Sequence, residues 1–333
     1  MKIVVALGGN AFLRRGESTS IQAQRINVRR AARALAGLAA EHTLVVTHGN
    51  GPQIGLLARQ AADAHAIPYP LDVLGAETEG MIGYLLEQEL ANELGHERVA
   101  TLLTRTVVRA DDPAFRAPTR FIGPVYDQKT AERLAAERSW KIARDGNGNA
   151  WRRVVPSLEP TEIVELSAIA HLSGAGFLVI CAGGGGVPVQ RTTAGTLEGV
   201  EGMVDKDLAA ATLAQCLGAD CLMMLTDVPA VFDLWGTGDA RRIRAAHPDT
   251  LADFHFSPGS MGPKIEAARR FAFHTGGRAY IGALDDAREL LHCGVGTCVS
   301  TDISGVVFDE PADVASLPPG TRVAPGASPV LGA

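Results

Sequence analysis

A chain of 333 residues, 46% hydrophobic and 20% charged, is long enough to bury a large core as one domain or as two lobes. Its net charge of −6 argues against a broad nucleic-acid surface while leaving room for a local basic pocket. No apolar run approaches the roughly 20 residues that a membrane span needs, and no H-E-x-x-H or other tight ligand cluster appears among the histidines.

The first segment, Lys2–Leu7, is an apolar run that enters a glycine turn at once, and is read as a core strand rather than a leader. Ile21–Ala40 then reads as a helix, Thr43–Thr47 as a strand, Pro52–His65 and Glu77–Leu94 as helices, and Val99–Leu103 as a strand. From about 104 to 156 the rhythm breaks. Charges, prolines and the polar turn Asp145-Gly146-Asn147-Gly148-Asn149 predict a small protruding subdomain.

Alternation resumes with a helix over Glu162–Ser173, a strand over Phe177–Cys181, a helix over Asp205–Leu217 and a strand over Cys221–Thr226. A helix over Pro263–His274 and strands over Arg278–Ile281 and Gly296–Ser300 complete the series. Such alternation predicts an α/β fold, a mainly parallel sheet with helices on both faces. Residues 1–301 form the predicted domain, and 302–333, rich in proline, glycine and alanine, form a predicted tail. The five cysteines, Cys181, Cys216, Cys221, Cys293 and Cys298, are odd in number and lack C-x-x-C spacing, which fits free thiols in a reducing cytoplasm.

Four glycine-rich turns fall at predicted strand ends: Gly8-Gly9-Asn10, His48-Gly49-Asn50-Gly51-Pro52, Ala182 through Gly186, and Ser257 through Lys264. In open α/β sheets ligands bind beyond the carboxyl ends of the strands, and glycine lets several backbone N–H groups converge on one phosphate. Any one turn alone is ordinary chain reversal; four together point to a phosphate site. G-x-x-x-x-G-K-[ST] is absent, which excludes a P-loop enzyme. Gly49 through Gly55 has one residue too many for G-x-G-x-x-G, which weakens a nicotinamide oxidoreductase reading.

Lysine is scarce beside arginine, yet Lys206 and Lys264 each stand at a predicted helix start near a glycine turn. A cation there opposes the helix dipole. Either is readable as a solvated surface lysine; as a pair they are readable as point charges aimed at phosphoryl oxygens. Asp207 is readable as a paired carboxylate that orients both, or as an ordinary acid of a first helical turn.

These segments together resemble carbamate kinase, a branch of the amino acid kinase family. The matching stretches are Val5 through Ala11, Thr47 through Gly55, Trp151 through Ser157, Ala182 through Pro188, Gly199 through Asp207, and Pro258 through Lys264, in order from residue 1 to about residue 300. The resemblance implies a three-layer αβα sandwich working as a homodimer, with an N-terminal acceptor lobe (about 1–180) and a C-terminal nucleotide lobe (about 181–301). It implies reversible phosphoryl transfer between ATP and carbamate, run towards ATP from ADP and carbamoyl phosphate. Magnesium would arrive on the nucleotide phosphates, with no metal held by protein groups alone and no nucleic-acid or membrane partner.

Carried over by motif, Lys206, Lys264, Asp207 and Asn10 would be catalytic. Gly8, Gly9, Gly49, Asn50, Gly51 and Arg120 would surround the phosphoryl group and the acceptor. Gly183, Gly184, Thr226, Asp227, Gly259, Ser260 and Met261 would hold the nucleotide. Carbamate is already an anion, so the reaction needs no general base. It needs alignment, positive charge and N–H donors. His48 is read as supporting its loop through hydrogen bonds.

The chain departs from the family pattern at four places. Arg120 stands where a lysine is expected in a P-T-K-P-I-G-P context, and Glu79 stands where glutamine is expected. Asp227-Val228-Pro229-Ala230 lacks the aromatic residue often found beside the adenine, and the tail has no counterpart. The first two leave open a related kinase acting on another small anion. A catalytically weak regulator that binds nucleotide or carbamoyl phosphate is a further alternative, against which the retention of both lysines argues.

Overall fold

The computed structural model describes residues 1–13, 17, 20–63, 69–146, 149–257 and 259–309. Residues 147 and 148 of the polar turn, the end of the predicted Pro52–His65 helix, Pro258 of the last glycine turn and residues 310–333 of the predicted tail lie outside the described residues.

A ten-stranded sheet forms the middle of the molecule. In spatial order Arg278–Ala283, Cys221–Thr226, Lys2–Leu7, Thr43–His48, Leu178–Ile180 and, at one edge, Val99–Thr101 all run parallel. These strands are apolar on both faces because both faces are covered. Val4, Val45, Leu222 and Met224 pack with Leu213 and Phe271 of the helices on one side. Ile3, Val5, Val46 and Met223 pack with Leu35, Leu86 and Leu90 on the other. Adjacent residues of a strand thus feed opposite cores, and the result is a three-layer αβα sandwich.

Seven helices are described: α1 (Ile21–Ala39), α2 (Gly51–Asp63), α3 (Leu71–Leu94), α4 (Gln128–Arg138), α5 (Leu166–Gly174), α6 (Lys206–Cys216) and α7 (Met261–Thr275). Ser20 caps α1 by accepting from the Ala23 amide, and Asp205 caps α6. Gly95, at φ +68°, closes α3. Among the described residues no helix is long and apolar enough to cross a membrane.

The observed elements differ from the expected ones in three places. The predicted Glu162–Ser173 helix begins only at Leu166, because Pro160–Ile163 pairs antiparallel with Arg105–Val108. Helix α3 begins at Leu71, six residues ahead of its predicted start, and buries Leu71 and Leu74. The segment after residue 301 contributes Val306–Phe308, which pairs antiparallel with Arg241–Ala246. Its β-branched and aromatic side chains suit a sheet edge, and Asp309 ion-pairs with Arg242 at 2.9 Å.

The stretch 104–156 divides between two sheets. Arg105–Val108 joins Val187–Arg191, Leu197–Gly199 and Pro160–Ile163. Arg120–Tyr126, Trp151–Val155 and Lys141–Arg144 form a separate three-stranded antiparallel sheet. An apolar cluster of Ile54, Leu71, Leu74, Ile122, Val155 and Met203 fixes this small sheet to α2 and α3. Trp140 lies between the guanidinium groups of Arg138 and Arg153, at 4.9 and 4.7 Å.

Candidate active site

The parallel strands end together, and their loops form one floor. The Gly8 amide donates to the Leu225 carbonyl and the Gly49 amide to the Leu7 carbonyl, both at 2.9 Å. These two amides therefore extend the sheet and are not available to a ligand. Glycine at 49 is a steric requirement: a Cβ there would stand 2.7 Å from the Gly9 nitrogen and 3.3 Å from Cδ of Lys206. Asn10 lies in the short 3-10 turn Gly9–Ala11, and its side chain lies outside what the structure describes.

The charged centre comes from two helix starts packed side by side. The Asp205 side chain accepts from the amides of Asp207 and Leu208 at 3.0 and 3.1 Å, which fixes the first turn of α6. Lys206 Nζ donates to Asp207 Oδ1 at 2.6 Å. Lys264 Nζ, from the first turn of α7, donates to Oδ1 and Oδ2 at 3.0 Å each. Asp207 and Lys264 are buried, and the Lys206 side chain is 16% exposed. The structure thus brings Lys206, Lys264 and Asp207 together, with one carboxylate between two ammonium groups.

Burial alone would push the Asp207 carboxyl up, but the two ammonium groups outweigh it and hold it well below the usual range. Burial likewise opposes the charge on Lys264, and Asp207 overcomes this and raises it. Lys206, with a single contact to Asp207, is lowered to about 8 by burial and by the neighbouring Lys264 charge. The cluster of two cations and one anion is thus one positive charge in excess, a setting that attracts phosphoryl oxygens.

A cavity of about 560 Å³ opens above this centre. Its floor includes Gly8, Gly9, Lys206 and Lys264, its far wall Gly259, Ser260, Thr226 and Asp227, and its roof Arg120 and Arg152. A Cβ on Gly51 would lie 3.7 Å from Nη2 of Arg120, so the arginine of the small sheet reaches across to the second glycine turn. Arg152 is a roof residue that the sequence reading did not single out. It ion-pairs with Asp145 at 2.9 Å and lies 5.7 Å over the Phe121 ring.

Thr226, Asp227 and Ser260 also line a second cavity of about 950 Å³, together with Met261. Aromatic side chains reach this chamber from segments other than 227–230. Phe232 and Trp235 (ring centroids 5.0 Å apart) and the stacked Phe254 and Phe256 (6.2 Å) line this chamber. The two chambers share Thr226, Asp227 and Ser260 in their walls.

Five expected site residues, Gly49, Asn50, Gly51, Gly183 and Gly184, line neither cavity. Gly183 and Gly184 pack beneath the His48–Asn50 loop, where a Cβ on Gly183 would overlap His48 and Glu79 and one on Gly184 would overlap Asn50. Asn50 is buried and turned inward, donating from Nδ2 to Thr78 Oγ1 at 3.0 Å. His48 is fully buried, edge-on to Phe12, with Nδ1 at a long 3.4 Å from the Gly49 carbonyl. Burial lowers it to about 4, so it is neutral and packs the loop rather than hydrogen-bonding it firmly.

Glu79 is buried on α3. Its Oε1 accepts from the Gly183 amide at 2.7 Å and its Oε2 from the Thr104 amide at 3.3 Å.

The family model for the amino acid kinase family matches residues 1–283, and the chain belongs to that family. It is 50% identical to the carbamate kinase of Rhizobium meliloti over 312 residues, 92% of this chain and 96% of that protein. It is 49% identical to the carbamate kinase of Escherichia coli K12, over 90% of this chain and 99% of the relative. A solved structure of carbamate kinase from Giardia lamblia bound to AMP-PNP matches with a TM-score of 0.84 at 38% identity, covering 90% of this chain and 98% of that one. The protein is therefore an enzyme, a kinase, and its sequence resemblance is to carbamate kinases.

Proposed function

We propose that the protein catalyses ATP + carbamate ⇌ ADP + carbamoyl phosphate and works chiefly towards ATP. The observation that carries this reading is Asp207 held between Lys206 and Lys264 at the base of a cavity that shares Thr226, Asp227 and Ser260 with an aromatic-lined chamber. In the ATP-forming direction a terminal oxygen of ADP attacks phosphorus, and the bond from phosphorus to the carbamate oxygen breaks. Carbamate leaves as an anion, so no proton moves and no general base is required. What remains is to align donor and acceptor and to neutralise the equatorial oxygens, which two ammonium groups fixed on a shared carboxylate do without reorganising.

Magnesium belongs to this reading. Asp205 and Asp227 offer hard oxygen donors at the cavity wall, and among the described residues no group of three or more metal-ligating side chains is present. That donor set fits an ion that arrives with its ligands on the nucleotide phosphates, where it supplies charge to the transferring group. Thr226, Asp227, Ser260 and Met261 would contact the nucleotide, and Gly9, Gly51 and Arg120 the phosphoryl and acceptor end. A cytoplasmic homodimer completes the proposal. Exposed Tyr84 on α3 and Leu103 beside the edge strand Val99–Thr101 support it, and the mass in solution tests it.

Formation of ATP from ADP, magnesium and carbamoyl phosphate is the decisive assay. Folded protein with no such activity removes the reading. Activity with acetyl phosphate and none with carbamoyl phosphate would instead favour another small anion as acceptor, with Arg120 the residue that motivates that alternative.

A further inference from the structure

We propose that Glu79, which lines neither chamber, is a positioning residue for phosphoryl transfer: its buried carboxyl clips the Gly183 turn and the Thr104 backbone to α3 and so holds the acceptor loop His48–Asn50 in place. The proposal rests on the kinase reading above.

Two neighbouring residues of α3 grip the loop from two sides. Thr78 accepts from the Asn50 side chain while its own hydroxyl is bound back to the Leu74 and Gly75 carbonyls. Glu79 accepts from Gly183 and Thr104. Thr104 in turn accepts from the Ala182 amide at 2.9 Å through Oγ1, which closes a ring of contacts around the turn. The space between is full: the Gly183 and Gly184 positions admit no Cβ against His48, Glu79 or Asn50. A shift of the Glu79 carboxyl therefore moves Gly183, and Gly183 moves the loop that carries Gly49 against the Lys206 stem.

The carboxyl is suited to this task in its neutral form. Burial pushes Glu79 up to about 8, against the opposing pull of the two amides. The titratable groups that face it offer no free countercharge. His48 on the Thr43–His48 strand is held neutral, Cys181 after the Leu178–Ile180 strand is pushed up by burial, and Glu165 ahead of α5 is paired with Arg105. Ionised Glu79 would be a buried charge under the acceptor loop offset by amide hydrogen bonds and by no cation named among these groups.

The sign of the pH effect follows. The folded chain keeps a proton that the unfolded chain releases, so stability falls as pH rises from the ordinary carboxylate range to about 8, and levels off above it. Lys206 also titrates near 8, so the alkaline side of activity has two candidate sources. Glu79→Gln separates them. Glutamine keeps an acceptor for Gly183, cannot ionise, and leaves Lys206 untouched.

The experiment measures kcat, KM and denaturant stability from pH 5.5 to 9.5 for the wild type, Glu79→Gln and Glu79→Ala. Glu79→Ala should lower kcat for ATP formation by on the order of tenfold to a hundredfold, with KM for ADP unchanged. Glu79→Gln should restore most of that rate at pH 7, abolish the decline in stability towards pH 8, and move the alkaline fall in kcat upward. Full kcat in folded Glu79→Ala overturns the proposal. So do an alkaline limb and a stability profile in Glu79→Gln identical to those of the wild type. A wild type inactive with carbamoyl phosphate removes the kinase reading and the positioning role together, and an active wild type beside an unaffected Glu79→Ala removes the positioning role alone.

Discussion

Two ammonium groups on one buried carboxylate leave a single surplus positive charge that water cannot fully screen. Each lysine is needed for that surplus. Lys206→Ala and Lys264→Ala should each lower turnover by on the order of a hundredfold or more, measured as initial rates of ATP formation. Loss of Lys264 should be the more damaging to the fold, since it provides two of the three bonds that hold Asp207 and is itself buried. Near-normal rates in both variants would remove them from the chemistry. At this scale local sequence was informative: a cation at a helix start is unfavourable in water, and two such cations demand a reason. The inward turn of Asn50 was not legible, because its partner Thr78 lies 28 residues on and is brought to it by the fold.

At the scale of elements, the first turn of α6 does two jobs. It begins a helix that packs under the central sheet and it presents Lys206 and Asp207 on successive residues. Asp205→Ala should cost about 1 kcal/mol of stability as a lost cap, read by chemical denaturation. It should also lower kcat, because the freed turn no longer fixes Asp207 between its lysines; a variant with reduced stability and full kcat would confine Asp205 to capping. The glycine turns show why elements were partly legible. Glycine reports that something approaches the backbone closely without saying what. At Gly49 it is the Lys206 stem and the Gly9 backbone, at the site itself; at Gly183 and Gly184 it is His48, Glu79 and Asn50, behind the site. The strand ends were found from β-branched runs, while Pro160–Ile163 was hidden because its antiparallel partner, Arg105–Val108, is distant in sequence.

At the scale of the molecule, the aromatic chamber lies beyond the charged centre and takes its walls from segments that sequence order does not place together. Phe232 lies in the short strand Val231–Asp233 and Trp235 just after it, while Phe254 and Phe256 precede α7. Trp235→Ala should raise the KM for ADP severalfold through lost stacking of about 1 kcal/mol, with kcat little changed, and nucleotide addition should no longer alter the indole fluorescence assigned to that position. An unchanged KM would place the base elsewhere. The central sheet has a consequence for how the enzyme opens. Because the Gly8 and Gly49 amides are bonded into the sheet, at Leu225 and Leu7, the floor of the cavity belongs to the most cooperative unit of the fold. Deuterium should enter those two amides only when the whole domain unfolds, whereas Arg120–Tyr126, on its small separate sheet, should exchange through local excursions. The enzyme would then admit and release substrates by moving its roof alone, with a floor that stays rigid through every turnover.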